Sequence, residues 1–310
     1  MRDMRTLETF YWVATLGGFR AAAQHLNTTQ PAISARIAQL EEELGVRLFD
    51  RQTKRITLTN RGAVLLSYSE KIFQIRTEML QAVSDNGALL RGTFRLGVSE
   101  TLVHTWLSPL LERIRALYPQ ISLDISVDTT VEIHKQLLSL DLDLGLVAAP
   151  LDHPDARSLK LCAYPFRLLV SPAFRAALPA NATDRMLLTR YPIITYPKSA
   201  LSTKNLIAVS QERLGLANLR IWGISPITTI IDMARTGLGI AALSPVSIPK
   251  ILAAGELETL PSRLPLEDLS FYSTYLPGPN AFLKEAIRDL ALEAAEAFSA
   301  TTARTTGHPD

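Results

Sequence analysis

Cysteine is nearly absent: Cys162 is the one thiol in 310 residues, so no disulfide, cysteine-rich zinc site or two-cysteine redox switch can form within one chain. Long apolar runs are missing too. Nowhere do about 18 uncharged apolar residues follow one another, and the start, Met1-Arg2-Asp3-Met4-Arg5, opens onto polar alternation rather than an apolar leader. The expectation is a cytoplasmic protein with no membrane partner. An excess of one charge is also lacking, since 32 Lys and Arg against 30 Asp and Glu leave +2. With 47% hydrophobic and 20% charged residues, the chain is neither a disordered polyelectrolyte nor a coiled-coil rod. Its length suits about two domains, each able to bury a core.

Catalytic signatures are missing as well. The five histidines, His25, His104, His134, His153 and His308, have no i, i+4 or HExxH spacing and no nearby cysteine, so no metal is expected. Gly237-Leu238-Gly239-Ile240-Ala241-Ala242 loosely fits a dinucleotide fingerprint, but a helix precedes it and a strand follows, the reverse of what a pyrophosphate turn requires. It reads better as a helix cap. There is no nucleophile elbow or P-loop, and Asp141 and Asp143, alternating with leucines, read as strand-entry residues. No cofactor and no catalysis are expected.

Charge becomes informative once divided along the chain. The first 62 residues hold nine basic and six acidic residues, +3, and the rest sums to −1. Positive charge at one end suits contact with phosphates. Leu7, Phe10, Tyr11 and Ala14 recur at helical spacing before Gly17-Gly18, a second short helix carries Phe19, Ala22, Ala23 and Leu26 on one face, and Thr29 can cap a third. Pro31 is tolerated in that first turn because its missing N–H had no helical partner. The third helix should run to about Leu44, with Ile33, Ile37, Leu40 and Leu44 inward and Gln30, Pro31, Ser34 and Arg36 outward near its start. Two short helices joined by a tight turn, polar at the second start, form a helix-turn-helix unless they are a plain helical hairpin. A basic hairpin around Gln52-Thr53-Lys54, flanked by Arg51 and Arg55, would be its wing.

The strings Phe19-Arg20-Ala21-Ala22-Ala23-Gln24-His25-Leu26, Thr29-Gln30-Pro31-Ala32-Ile33-Ser34, Gln39-Leu40-Glu41, Leu44-Gly45, Leu48-Phe49-Asp50-Arg51 and Leu58-Thr59 resemble the DNA-binding domain of LysR-type transcriptional regulators. One departure is Ala35, where many members carry Arg or Lys; here the cation follows at Arg36. The resemblance implies an α/β protein with an N-terminal winged helix-turn-helix, a linker helix and a two-lobed effector-binding domain of periplasmic-binding-protein type. Its DNA-facing set would be Thr29, Gln30, Pro31, Ser34, Arg36, Arg51, Lys54 and Arg55, with Gln30, Pro31 and Ser34 along base edges and the cations on phosphates or bases.

Residues 60 to about 87 contain no proline and carry an apolar stripe, Leu65, Ile72 and Met79 beside Leu66, Phe73 and Leu80, on one long helix. The resemblance implies that this helix pairs two subunits, as homodimer or homotetramer. From Thr93 a βαβ rhythm begins: strands near 93–98, 121–127 and 142–147 with helices near 102–118 and 132–140, then strands near 166–170, 192–195, 220–223 and 239–243 with helices near 204–214 and 227–235. A strand near 269–275 and a helix near 281–298 close the chain. The expected division is 1–62 winged domain, 63–91 linker helix, 92–298 effector domain and a frayed tail 299–310. Within the effector domain, lobe one would be 92–164 with 268–298, and lobe two 165–267. Both sheets should be mostly parallel.

Ligands of open α/β lobes bind beyond the carboxyl ends of strands, here between the lobes. Ser99 can cap the helix expected near Leu102, and the resemblance places effector contacts at that turn (Ser99, Glu100, Thr101), at Thr129 and Thr130, and on the facing lobe at Tyr196, Pro197, Ser225 and Pro226. Glu100 would repel a dianionic ligand and favour a neutral or donor-bearing one. The reading is a DNA-binding regulator whose partners are a double-stranded DNA operator and a small-molecule effector, with RNA polymerase a further candidate. The alternative is a two-lobed small-molecule-binding protein or enzyme with an appended helical domain.

Overall fold

A computed structural model describes residues 3–50, 56–83, 90–278 and 281–306. Three helices open it: α1 (Met4–Thr15), α2 (Phe19–His25) and α3 (Gln30–Leu44). α1 stops where Gly17 takes a φ of +64°, a left-handed conformation costing a residue with a side chain about 1–2 kcal/mol. Phe10 and Val13 of α1, Ala22 of α2 and Ile33, Ile37 and Leu40 of α3 share one buried core. Leu44, expected on that inner face, is 40% exposed, because α3 ends against Gly45 beyond the reach of the core. Strands β1 (Phe49–Asp50) and β2 (Thr57–Leu58) pair antiparallel, Phe49 opposite Leu58. Glu41 of α3 accepts the N–H groups of Leu48 and Phe49 at 2.7 and 3.2 Å, fixing the root of this hairpin to the helix.

Helix α4 (Asn60–Val83) leaves β2 so closely that a Cβ on Gly62 would run into the Leu48 carbonyl. Leu65, Leu66, Ile72 and Phe73 pack onto the core of the first three helices, with the Phe73 ring edge-on to Tyr11 at 5.8 Å. This corrects the single stripe read from the sequence. Val64, Tyr68, Ile75 and Met79 are 53, 58, 62 and 55% exposed, and at 100° per residue they fall within a roughly 60° arc on a different side of the helix. α4 therefore has two apolar faces, one covered within the chain. The Leu80 side chain and Gly87 lie outside the described residues.

Beyond residue 91 the chain builds two five-stranded sheets. In the first, β3 (Gly92–Val98), β4 (Ile121–Val127) and β5 (Leu144–Val147) are parallel neighbours, while β12 (Leu269–Tyr275) runs antiparallel to both β5 and β6 (Arg157–Tyr164), in the order β4-β3-β5-β12-β6. The second holds β7 (Arg167–Val170), β8 (Ile193–Thr195), β9 (Ile221–Gly223), β10 (Ile240–Leu243) and β11 (Glu258–Thr259), in the order β11-β7-β10-β8-β9, with β7 antiparallel to both neighbours. Both sheets are mixed rather than mostly parallel. The βαβ rhythm describes only the strands joined through helices, and β12 returns from the far side of the second sheet with its direction reversed. Strand β6 escaped the sequence reading because its first four residues, 157–160, are exposed and show no apolar alternation.

The helix expected over 102–118 is divided into α5 (Glu100–Val103) and α6 (Leu107–Leu117). Thr105 turns its hydroxyl onto the Leu102 carbonyl at 3.1 Å, and Trp106 drops fully buried into the core of the first sheet. Flanking the sheets are α7 (Thr130–Leu138), α8 (Pro172–Ala176), α9 (Asp184–Arg190), α10 (Leu201–Leu214), α11 (Ile227–Arg235) and α12 (Pro249–Ala253). α13 (Ala281–Thr306) continues into the segment expected to fray from Ser299, of which residues 307–310 lie outside the described residues. The Ser299, Thr301 and Thr302 hydroxyls there bond carbonyls four residues back, so the polar residues satisfy themselves on the helix.

The helical domain rests on the first sheet's unit. Tyr11 donates its hydroxyl to the Pro277 carbonyl at 3.2 Å, and Leu140 joins the buried cluster of the first three helices.

Candidate functional site

At the start of α3 the Thr29 hydroxyl accepts the Ala32 N–H at 3.4 Å, and Pro31 occupies the first turn, where its ring costs the helix nothing. Gln30 and Pro31 are exposed, and Ser34 and Arg36 half-buried, one to two turns in. The helix thus presents uncharged polar side chains to solvent at its start, a surface that suits phosphates and base edges. Arg51, Lys54 and Arg55 lie outside the described residues.

The second candidate is a cleft of about 900 Å³ between the two sheet units. All nine residues singled out for an effector line it: Ser99, Glu100 and Thr101 beyond β3, Thr129 and Thr130 beyond β4, Tyr196 and Pro197 beyond β8, and Ser225 and Pro226 beyond β9. The two chain crossings between the sheets border it as well, through Phe166 and residues 265–272. The topology explains the convergence. β4, β3 and β5 are parallel neighbours, so their carboxyl ends open on one edge, where loop N–H groups and helix starts gather.

Two polar contacts span the cleft. Glu100 accepts the Ile227 N–H at 2.7 Å, at the first residue of α11 on the facing lobe, and the Thr101 and Tyr196 hydroxyls lie 3.0 Å apart. Glu100 thus does more than sit beside its own turn: its carboxylate satisfies a donor that α11 leaves without a helical partner. Burial pushes the Tyr196 phenol up to about 12; the Thr101 bond opposes that rise and the Glu100 charge adds to it, so Tyr196 stays a neutral donor or acceptor.

Ser99 occupies the cap position of α5 but makes no capping bond, contrary to the sequence expectation; α5 has a single turn, and the Ser99 hydroxyl is buried without a partner among the described residues. Thr129 is a working cap, accepting the Glu132 N–H at 3.3 Å. Thr130 is more than a turn residue, since its hydroxyl accepts the Ala148 N–H at 3.1 Å and ties α7 to the end of β5.

The sequence reading did not single out Asp128, Asp152, His134 or Lys204, which also line the cleft. Asp128 directly follows β4, so the rule that flagged Thr129 applies to it equally. His134 Nε2 lies 3.1 Å from the Ala149 carbonyl, to which it can only donate, leaving Nδ1 as an acceptor. Burial lowers its pKa more than this bond raises it, which keeps the ring neutral at neutral pH. Cys162, half-buried on β6, has its thiol pushed up by burial and so remains a protonated thiol rather than a nucleophile. Among the described residues, no three His, Cys, Asp or Glu groups are placed to share a metal ion, and no helix is long and apolar enough to cross a membrane.

Comparison with known proteins agrees with this anatomy. The family model for the bacterial regulatory helix-turn-helix protein, lysR family, matches residues 4–63, and that for the LysR substrate binding domain matches residues 87–296. The transcriptional regulator GltR of Bacillus subtilis is 30% identical over 273 residues, covering 88% of each chain. BbuR of Bordetella bronchiseptica is 26% identical over 265 residues, 84% of this chain and 80% of that one. Among solved structures, ArgP from Mycobacterium tuberculosis shares the fold with a TM-score of 0.65 at 19% identity, over 96% of this chain and 99% of that one. Full-length LysG from Corynebacterium glutamicum with bound effector Arg does so with 0.62 at 18%, over 95% and 98%.

Proposed function

The chain belongs to the LysR family of transcriptional regulators, and from that premise we propose which of its parts meet DNA, effector and a second subunit. It is a DNA-binding regulator with an effector-binding domain. In our reading residues 1–62 form the operator-binding unit, 63–91 the linker and dimerisation segment, and 92–298 the effector domain, whose lobes are 92–164 with 268–298 and 165–267. With Thr29 at the helix start, Gln30, Pro31 and Ser34 lie along base edges; Arg36, Arg51, Lys54 and Arg55 approach phosphates or bases. The protein works in the cytoplasm without catalysis, and RNA polymerase is its further candidate partner.

Dimerisation uses the face of α4 made by Val64, Tyr68, Ile75 and Met79, which the chain itself leaves exposed. Two winged domains then address two half-sites, and their spacing depends on how the effector domains hold the linker helices.

The observation that carries the effector reading is the pair of bonds across the cleft, Glu100 to Ile227 and Thr101 to Tyr196. A ligand entering between these lobes must rearrange or reinforce those bonds, and the lobe angle changes with them. The test is titration of metabolite pools against the full chain, read by operator affinity, with Ser99→Ala and Thr130→Val beside the unaltered protein. A ligand that shifts operator affinity should lose at least several-fold in binding to one of these variants. Unchanged affinity in both, with folding intact, would remove the effector role from this cleft.

A further inference from the structure

Carboxylates dominate the charge around the cleft. Those on its lining are Glu100, Asp128, Asp152, Glu212, Glu267 and Asp268, against the single base Lys204. Glu212 and Asp268 lie 3.6 Å from Arg213 and Arg167, which do not line the cleft, so these two count as compensated. That leaves Glu100, Asp128, Asp152 and Glu267 facing Lys204, a net −3. His134, held neutral by burial, adds nothing to the positive side.

The placement of these acids follows from the sheet. Glu100, Asp128 and Asp152 follow β3, β4 and β5, parallel neighbours about 4.8 Å apart. Their loops are joined by backbone bonds, Asp128 N–H to the Val98 carbonyl at 3.2 Å and Ser99 N–H to the Leu146 carbonyl at 2.8 Å. Beside them the Ser99 hydroxyl, on a residue 8% exposed, has no partner among the described residues. One further feature decides the sign of the ligand. The N-terminus of α11, where a carboxylate ligand would find a free N–H, already holds Glu100.

We propose that the cleft takes a small organic cation, a primary amine or guanidinium on an apolar body, and that Glu100 serves both as the internal anion at the start of α11 and as an acceptor for that cation. The proposal rests on the reading of this cleft as the effector site. Glu100 engages Ile227 through one oxygen, and the other keeps lone pairs for an N–H donor. An ammonium brings three donors, for which Glu100, Asp128 and the Ser99 hydroxyl supply acceptors, while Val127, Val131 and Phe166 line space for its apolar part. An acidic ligand would enter against the net negative charge and have to displace Glu100 from its N–H.

Calorimetric titration of the full chain with size-matched probes tests this: benzylamine, benzyl alcohol and benzoate, and agmatine against glutarate, each also scored for its effect on operator affinity. Amines should bind at least tenfold tighter than the matched acids. Glu100→Gln keeps an oxygen for Ile227 but loses the charge, and should cut amine affinity about tenfold. Asp128→Asn, at an exposed position where folding is not at stake, should cut it several-fold. Acids binding more tightly than amines, or amine affinity unchanged in both variants, would overturn the assignment. Acids or alcohols that alone shift operator affinity would sink the cation and leave the effector reading standing. Silence of every probe in both assays would overturn both.

Discussion

Of the helix N-termini at the binding surfaces of this molecule, those of α3 and α11 are furnished in opposite ways. At the start of α3 the flanking side chains are short and uncharged, Thr29, Gln30, Pro31 and Ser34, with Arg36 the nearest cation along the helix. At the start of α11 the Ile227 N–H is occupied by the Glu100 carboxylate from the facing lobe. A helix N-terminus carries about half a positive charge in either place. Capped only by a neutral hydroxyl, as Thr29 caps α3, it still favours an anion, and filled by the protein's own carboxylate it ceases to. The backbone device is common to both surfaces, and side chains decide whether the partner is a phosphate backbone or a molecule that tolerates carboxylates.

The largest effect expected from this contrast is on the operator side. Lys54→Glu with Arg55→Glu reverses two cations per subunit, and operator affinity should fall on the order of 10³-fold at moderate salt. Fluorescence anisotropy across about 50 to 200 mM salt would also show a shallower log–log slope than the unaltered protein gives. Ligand affinity in the cleft should stay within twofold. An equal loss there would break the separation between the two surfaces.

Next in size are the two faces of α4. Phe73, 8% exposed against Tyr11, belongs to the core, and Phe73→Ala should cost about 3–5 kcal/mol in denaturant unfolding. Ile75→Asp with Met79→Asp changes only exposed positions, so it should leave the melting temperature of the monomer nearly unchanged while shifting sedimentation from dimer to monomer. A dimer that persists in that variant would mean that subunits meet elsewhere, and the winged domains would lose their pairing device.

The contrast also separates what could be read in the sequence from what could not. The winged domain was legible because each of its signals is local: the Gly17 stop, the Thr29 cap and the alternation of Ile33, Ile37 and Leu40 depend on neighbours within a turn or two. The cleft was half legible. Residues that follow strands, such as Ser99 and Thr130, could be named, since a parallel sheet delivers strand ends to one edge. The Glu100 to Ile227 bond could not be read, because it joins residues 127 apart across two lobes whose closure no local pattern encodes. The same limit explains α4. One stripe with a seven-residue repeat matched the sequence, but only the packed domain reveals that Leu66 and Phe73 are spent inside the chain.

A smaller effect is expected where the cleft is already bonded shut. Glu100→Ala removes a charge-assisted bond at a half-exposed position, which should lower stability by about 1 kcal/mol. The two lobes should then open further, seen as a larger radius of gyration in small-angle scattering. An unchanged radius would mean that Thr101 and Tyr196 hold the lobes unaided.

The smallest expected effect is the response to acid, and it can be assigned region by region. His25 in the helical domain and His134 at the cleft both have pKa values lowered from 6.5, in each case chiefly by burial. For His25 the charges of Arg95 and Lys284 lower it further, while Asp143 and Asp141 pull the other way. The unfolded chain takes up these protons near the ordinary value, whereas the native chain resists until the pH is lower. Stability is therefore full above about pH 6.5 and is lost as the pH falls toward the lowered native values. The melting temperature should drop by a few degrees between about pH 7 and 5. His25→Gln and His134→Gln should each flatten part of that acid limb, and in the second variant the introduced amide keeps an N–H for the Ala149 carbonyl. Only His134→Gln should also flatten the acid loss of amine affinity in the cleft, because protonating His134 adds a positive charge beside the ligand. If His25→Gln did so as well, proton uptake in the helical domain would be coupled to the cleft, and the two surfaces would no longer count as independent.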